Sequence, residues 1–280
     1  MTHVDRAGRS DRADPAEVDR LAADLTTLGV RADQDLLVHC SMRRMGPVTG
    51  GPATLLAALR RVAGPAATVV VPAQTAGSSP TSPAFRAATN GLDAVEQAAY
   101  EARLPGFDPA TTPSEGMGVF AEYLRQQPGA TRSTHPLTSF AALGRRAAEF
   151  TAVHDLDCHL GERSPLGRLY QAGAAVLLLG VGYTSCTALH LAEYRTQARR
   201  PAGPPPERSY RCYVLVGGRR ERRDFRAPSL DMSDFAELGA AIEANLPVGR
   251  GLVGTAPTRL LDLRDAVDFA TTWMAGHRRP

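Results

Sequence analysis

VLLLGVGYTSCTALHLAEY, residues 176 to 194, joins two patterns that seldom meet in so short a run. The aliphatic stretch VLLLGVG has no polar interruption, which is the pattern of a central β-strand covered on both faces. Past the glycines, ALHLAEY reads as helix. Its H-x-x-E spacing then puts His190 and Glu193 on one face, with Thr187 on the same side. A buried core would prefer leucine at such positions. The run therefore sets two expectations: an α/β sheet with this strand inside it, and polar chemistry in the loops at the strand C-termini.

Working outward, the same alternation recurs. Pro15 and the spacing Val18, Leu21, Leu25, Leu28 predict an amphipathic helix ended by Gly29. DLLVHCSM, residues 35 to 42, predicts a buried strand that opens into the glycine-rich RRMGPVTGG and a helix with Pro52 in its first turn. TVVVPAQ, residues 68 to 74, is a further strand. Residues 75 to 116 are rich in Pro, Ser, Thr and Gly and read as one long functional connection. MGVFAEYLRQQPG and GRRAAEFTAVHD are read as helical, and Ser164 before Pro165 as the N-cap of a short helix. After the proline-rich passage 199 to 208, RCYVLVGGRRERRDF predicts a hairpin turning at Gly217 and Gly218. DMSDFAELGAAIEAN predicts an N-capped helix, GRGLVGTAPTRLLDL a short strand and turn, and RDAVDFATTWMAGH a terminal helix capped by Gly276. The expected fold class is α/β: a central mixed sheet flanked by helices, with a C-terminal hairpin and helix subregion. Residues 1–14 read as a flexible leader and 15–280 as a single domain.

Composition narrows the function classes. The chain has 280 residues, 43% of them hydrophobic, enough for a substantial core. Its net charge of +3 comes from 32 basic and 29 acidic residues scattered along the chain, so no basic patch for nucleic acid is expected. No run approaches the ~18 to 20 apolar residues of a membrane span, and the first residues lack an apolar signal region. A cytoplasmic protein is expected, with no membrane partner. Cys40, Cys158, Cys186 and Cys212 are far apart and read as reduced thiols. No H-E-x-x-H is present and no second histidine stands at ligand spacing, so no metal is expected. The absence of G-x-S-x-G argues against a serine hydrolase.

Three loops besides the opening run are candidates for chemistry, one of them ERSPLGRLY, residues 162 to 170, where capping by Ser164 explains the pattern without a ligand. CSMRRMGPVTGG puts Ser41, Met42, Arg43, Gly50 and Gly51 between a strand end and a helix start, where backbone N–H groups converge on an anion; a tight turn explains the same residues. RSTHP offers Arg132 and Ser133 as an anion clamp or a surface turn. In the opening run, His190 can act as a general base near neutrality, or stand as a satisfied core histidine.

In order and at these separations, LLVHCSMRRMGPVTGG, FDPATTPSEGMG, GATRSTHPLTSFAALG, SPLGRLYQAGAAVLLLGVGYTSCTALHLAEY and GRGLVGTAPTRLLDLRDAVDFA resemble the aminoglycoside 3-N-acetyltransferase family over residues 17 to 277. The resemblance implies a fold unrelated to the GNAT acetyltransferases. It also implies direct acetyl transfer from acetyl-CoA to the 3-amino group of a 2-deoxystreptamine-type aminoglycoside, giving antibiotic resistance. His190 corresponds to the family's histidine base, Glu193 to its orienting or ammonium-binding acid, and Thr187 to a neighbour in the catalytic group. Ser41, Met42, Arg43, Gly50, Gly51, Ser114, Met117, Arg132 and Ser133 are implied on the cofactor side. Asp93, Glu96, Glu101, Asp231 and Asp234, with Tyr100, are expected to line an electronegative acceptor cleft. His39, at the end of its strand, is within reach of the thioester but reads first as structural. Residues 75 to 116 lack the tryptophan common in relatives. The same chemistry on another amine, or a non-catalytic CoA- or antibiotic-binding protein, are the alternatives. A homodimer is admitted, though no residue specifies one.

Overall fold

All five residues of the strand Ala175–Leu179 are buried, as its unbroken aliphatic run requires. In chain order the strands are β1 (Leu36–Cys40), β2 (Thr68–Pro72), β3 (Thr131–Arg132), β4 (Phe140–Gly144), β5 (Ala175–Leu179), β6 (Glu207–Val216), β7 (Arg219–Pro228), β8 (Gly249–Val253) and β9 (Ala256–Asp262). Seven of them form one sheet in the order β3-β4-β2-β1-β5-β9-β8, and β6 with β7 makes a separate hairpin. β1 pairs in parallel with both β2 and β5, while β4 and β9 join antiparallel, so the sheet is mixed. The computed structural model describes residues 12–198 and 206–278. Residues 1–11 of the expected leader and 199–205 of the proline-rich passage lie outside the described residues.

The helices are α1 (Pro15–Leu28), α2 (Gly51–Ala63), α3 (Pro83–Ala88), α4 (Ala94–Ala102), α5 (Val119–Arg125), α6 (Ala147–Thr151), α7 (Pro165–Ala172), α8 (Leu189–Ala198), α9 (Phe235–Asn245) and α10 (Leu263–His277). Strand alternation divides the core in two. Leu36, Val38, Val69, Val71, Leu177 and Leu179 face α1, α2 and α5. Leu37, Val70, Val176 and Leu178 face the layer built from α6 through α10. By the same alternation His39 falls on the second side, toward α8.

Several expectations hold in detail. Gly29 ends α1 in the left-handed conformation, Ser164 caps α7 through the Leu166 amide, and Gly217 and Gly218 turn the β6–β7 hairpin with positive φ at both. Others are corrected. The 75 to 116 segment carries α3 and α4, two short helices that bury no residue and so give no apolar periodicity in the sequence. GRGLVGTAPTRLLDL forms two strands, β8 and β9, which return to the edge of the central sheet. Gly276 lies inside α10, and Arg278 takes the C-cap position, donating its backbone N–H to Met274 O.

The connection after β1 leads to α2 on one face of the sheet, and the connection after its neighbour β5 leads to α8 on the other. Such a switch point opens a crevice at the strand C-termini. Two glycines let its walls close up. Gly180, at φ +64°, ends β5 where a Cβ would stand 2.9 Å from Arg44 Cβ. Gly118, at φ +84°, starts α5 with its Cβ position 3.1 Å from the Cys40 carbonyl oxygen.

Candidate active site

A cavity of about 590 Å³ fills this crevice. β1 and its loop contribute His39, Cys40, Ser41, Met42 and Arg43, and β2 contributes Pro72 and Gln74. The start of α5 adds Met117 and Phe120, and the β5–α8 connection brings Thr184 to Thr187 and then His190. Predicted residues from both halves of the sequence therefore meet at one place: Ser41, Met42, Arg43 and Met117 on one wall, Thr187 and His190 on the other.

The geometry at His190 is directional. Its Nδ1 bonds the Glu193 Oε2 one turn along α8. Glu193 is 1% exposed, and its other oxygen accepts from the Asp231 N–H at 2.8 Å and from Arg278 Nη1 at 2.5 Å. A carboxylate only accepts, so opposite an ionised Glu193 the Nδ1 of His190 is the donor and carries the proton. Nε2 is then the nitrogen with a free lone pair. The Phe235 ring, 4.9 Å away between centroids, supports the imidazole face.

His39 has the opposite character. Burial, and then the neighbouring charge of His190, push it down to about 3, so it stays neutral in the working range. Its Nε2 lies 3.4 Å from Thr187 Oγ1. Burial raises Cys40 and Cys186 to about 12, so the two thiols on the cavity wall are not thiolates and lack the nucleophilic form.

The structure places the other predicted residues elsewhere. Gly50 and Gly51 start α2 away from the cavity, and a Cβ on Gly50 would meet the Arg12 carbonyl oxygen at 2.5 Å. Ser114 bonds Glu122 through both its N–H and its hydroxyl at 2.8 Å. Arg132 is turned inward onto Ser139 and the carbonyls of Thr112 and Ala73, and lies over the Phe107 ring. Ser133 is fully buried between His154 Nδ1 and the Phe140 N–H. Both residues of the expected clamp thus have internal partners instead of a free face. Asp93 and Glu96 form the capping box of α4, Glu101 bonds Tyr213 and Arg211, and Tyr100 packs edge-on against Phe85. This corrects the expectation that these four line the cleft: they serve the 75 to 116 segment and its contact with the hairpin. Asp234 is held by Arg278, and Asp231 stays exposed beside the His190 end of the cavity. Among the described residues no group of three or more His, Cys, Asp and Glu side chains is arranged to hold a metal ion. No helix there is long and apolar enough to cross a membrane.

Behind the site His135, His154 and His159 are buried together, with the His135 and His154 rings 4.8 Å apart. Burial is the main cause that holds His154 to about 4 and His159 to about 3, and puts His135 well below the ordinary 6.5. Below about pH 6.5 the unfolded chain takes up protons that these three and His39 refuse. Stability is therefore full above that value and falls as pH drops toward about 4, by up to about 1.4 kcal/mol per pH unit for each histidine. Urea midpoints measured from pH 7.5 to 5 should decline steeply; a flat midpoint would contradict this burial.

A mixed sheet with a crevice at its switch point and, on the crevice wall, an imidazole tied to a buried carboxylate together have the form of an enzyme site. The comparisons are of the same kind. The model of the aminoglycoside 3-N-acetyltransferase family matches residues 37–275. The aminoglycoside N(3)-acetyltransferase VII of Streptomyces paromomycinus is 36% identical over 278 residues, covering 93% of this chain and 92% of its own. The crystal structure of YokD protein from Bacillus subtilis superposes with a TM-score of 0.85 at 32% identity, covering 95% of this chain and 96% of that one. AAC-IIIb in its binary complex with CoASH superposes with a TM-score of 0.77 at 29% identity, covering 94% and 98%. The chain belongs to the aminoglycoside 3-N-acetyltransferase family, and with it to the acyltransferases of non-GNAT fold.

Sequence reasoning missed Gln74, Phe120, Cys186, Met232 and Arg278. Gln74 stands two residues past the end of β2 and was findable by that position. Arg278 carries no local signal.

Proposed function

We propose that the protein transfers the acetyl group of acetyl-CoA directly to the 3-amino group of a 2-deoxystreptamine-type aminoglycoside, with His190 as general base and antibiotic resistance as the consequence. The observation that carries this reading is the tie from His190 Nδ1 to Glu193, which leaves Nε2 as the basic nitrogen of a residue on the cavity wall. The amine nitrogen attacks the thioester carbonyl and its proton passes to Nε2. The carbon–sulfur bond then breaks, and the CoA thiolate leaves with that proton. The positive charge formed on the ring sits against the Glu193 carboxylate. Thr187, with neutral His39 behind it, offers its hydroxyl to the oxygen that gains charge in the tetrahedral intermediate.

The wall of Met42, Met117, Pro72 and Phe120 suits the slender pantetheine arm, and Ser41 with Arg43 stands at its end as the polar contact for the donor. On the acceptor side Asp231 is the exposed acid, kept low by the Ser233 amide and hydroxyl and then by Arg278 and His190. It is placed to receive an ammonium next to the reacting amine. Glu193, enclosed and fully bonded, serves as orienter and not as substrate ligand.

One observation favours a second reading. With Asp93, Glu96 and Glu101 engaged elsewhere, the cleft is less acidic than a highly charged acceptor would use, which suits an amine of lower charge. Thiol release from acetyl-CoA against a panel of aminoglycosides and simple amines decides between them. Turnover with at least one deoxystreptamine aminoglycoside, and none without acceptor, is expected. Turnover with monoamines alone would select the second reading, and acetate release without acceptor would mean a hydrolase.

A further inference from the structure

We infer that Arg278 is a positioning residue for this transfer: its guanidinium clamps the Glu193 carboxylate in the orientation that aims His190. The inference rests on the general-base reading of His190. Arg278 follows the last residue of α10, 85 residues after Glu193 in sequence, yet its fork reaches Glu193 on α8 and both Asp231 and Asp234 in the segment leading into α9. Nη1 donates to Glu193 Oε1 at 2.5 Å. Nε and Nη2 take both oxygens of Asp234, at 2.7 and 2.5 Å, and Nη2 also donates to the Asp231 carbonyl oxygen at 2.7 Å.

The clamp matters because Glu193 is enclosed. A buried carboxylate needs donors on both oxygens, and any oxygen left short turns toward the nearest one. Here Oε1 is held by Arg278 and the Asp231 amide, which leaves Oε2 for His190 alone. Without the guanidinium the carboxylate keeps a single fixed donor on Oε1, and the Asp231 amide alone opposes rotation about its terminal bond. The imidazole then loses its one defined tautomer. Asp234 has a part in this as the anchor of the fork: it occupies the N-cap position of α9 but makes no capping bond, and spends both oxygens on Arg278. Lysine cannot reproduce a fork that bridges two carboxylates and a carbonyl.

The test uses the full chain and two readouts. In Arg278→Gln, kcat should fall about 10- to 100-fold, the scale of a slightly misplaced catalytic group. The KM for acetyl-CoA should stay within about twofold, and added guanidinium chloride at non-denaturing concentration should restore part of kcat. Arg278→Lys should recover little, and Asp234→Asn, which frees the fork while keeping the arginine, should show a smaller loss. Independently of turnover, ¹⁵N NMR of the histidine ring should show one Nδ1–H tautomer for His190 in the wild type and a mixture in Arg278→Gln. If wild type shows no turnover with any amine, the transferase reading fails, and the NMR comparison still decides the clamp. An unchanged tautomer in Arg278→Gln, or a kcat loss that guanidinium does not relieve in a folded variant, overturns the inference. If Arg278→Gln does not fold, the same NMR and kinetic outcomes are read on Asp234→Asn.

Discussion

His190→Ala should lower kcat by about 10²- to 10⁴-fold while acetyl-CoA still binds, because general base catalysis supplies about that factor and binding uses other walls of the cavity. The expectation follows from what else could accept the proton. His39 is the other imidazole on the cavity wall, but burial is the main cause that lowers it and burial stays when His190 is gone, so it is a poor base at neutral pH. Cys40 and Cys186 are neutral thiols up to about 12. Asp231 is exposed, and its hydrogen bonds from Ser233 lower its basicity further. The amine would have to lose its proton to water. Isothermal titration with CoA and steady-state rates on the same preparation separate binding from chemistry. Retained turnover within about tenfold of wild type, with CoA bound normally, would remove His190 from the mechanism.

How far the site was legible depended on whether a residue's partner was local. β5 could be read from its unbroken aliphatic run, and His190 with Glu193 from a spacing of three on one helix, because both signals lie within a few residues. The loop after β1 could be placed at the crevice because α/β connections open there, and Ser41, Met42 and Arg43 do line it. Gly50 and Gly51 are equivalent in sequence, yet they serve the start of α2, Gly50 against the carbonyl of Arg12. Arg132 and Ser133 fail for a related reason. An Arg-Ser pair suggests an anion clamp only if the groups are free, and here carbonyls and a histidine from distant segments satisfy them. The acids of the 75 to 116 segment suit a cleft for a polycationic acceptor only if the fold leaves them free. Once α3 and α4 form, Asp93 and Glu96 are consumed in capping and Glu101 in pairing with the hairpin. Arg278 shows the limit most clearly: its importance comes from three partners spread over α8 and the loop before α9, and no window of sequence contains them.

Glu193→Gln should be nearly as damaging as loss of His190, by about 10³- to 10⁴-fold in kcat, although it changes one oxygen to nitrogen. Three donors converge on the carboxylate: the Asp231 N–H, Arg278 Nη1 and the His190 Nδ1–H. A carboxylate accepts them all. A carboxamide has one oxygen and one NH₂, so it fails in either rotamer. With its oxygen toward Arg278 and Asp231, the NH₂ faces His190, forces Nδ1 to accept and moves the ring proton to Nε2, where the substrate proton should go. With its oxygen toward His190, the NH₂ is driven against two other donors in a buried place, which costs about 1–3 kcal/mol. The first rotamer is favoured, and it leaves a folded enzyme with the wrong tautomer. An orienting carboxylate changed to its amide in a serine-protease triad costs a comparable factor for the same reason. Kinetics paired with ¹⁵N NMR of the His190 ring test this directly: an Nε2–H signature with near wild-type thermal stability is expected beside the lost kcat. A variant that keeps the Nδ1–H tautomer and still loses the rate would mean that the charge of Glu193, and not its acceptor geometry, is what the reaction uses.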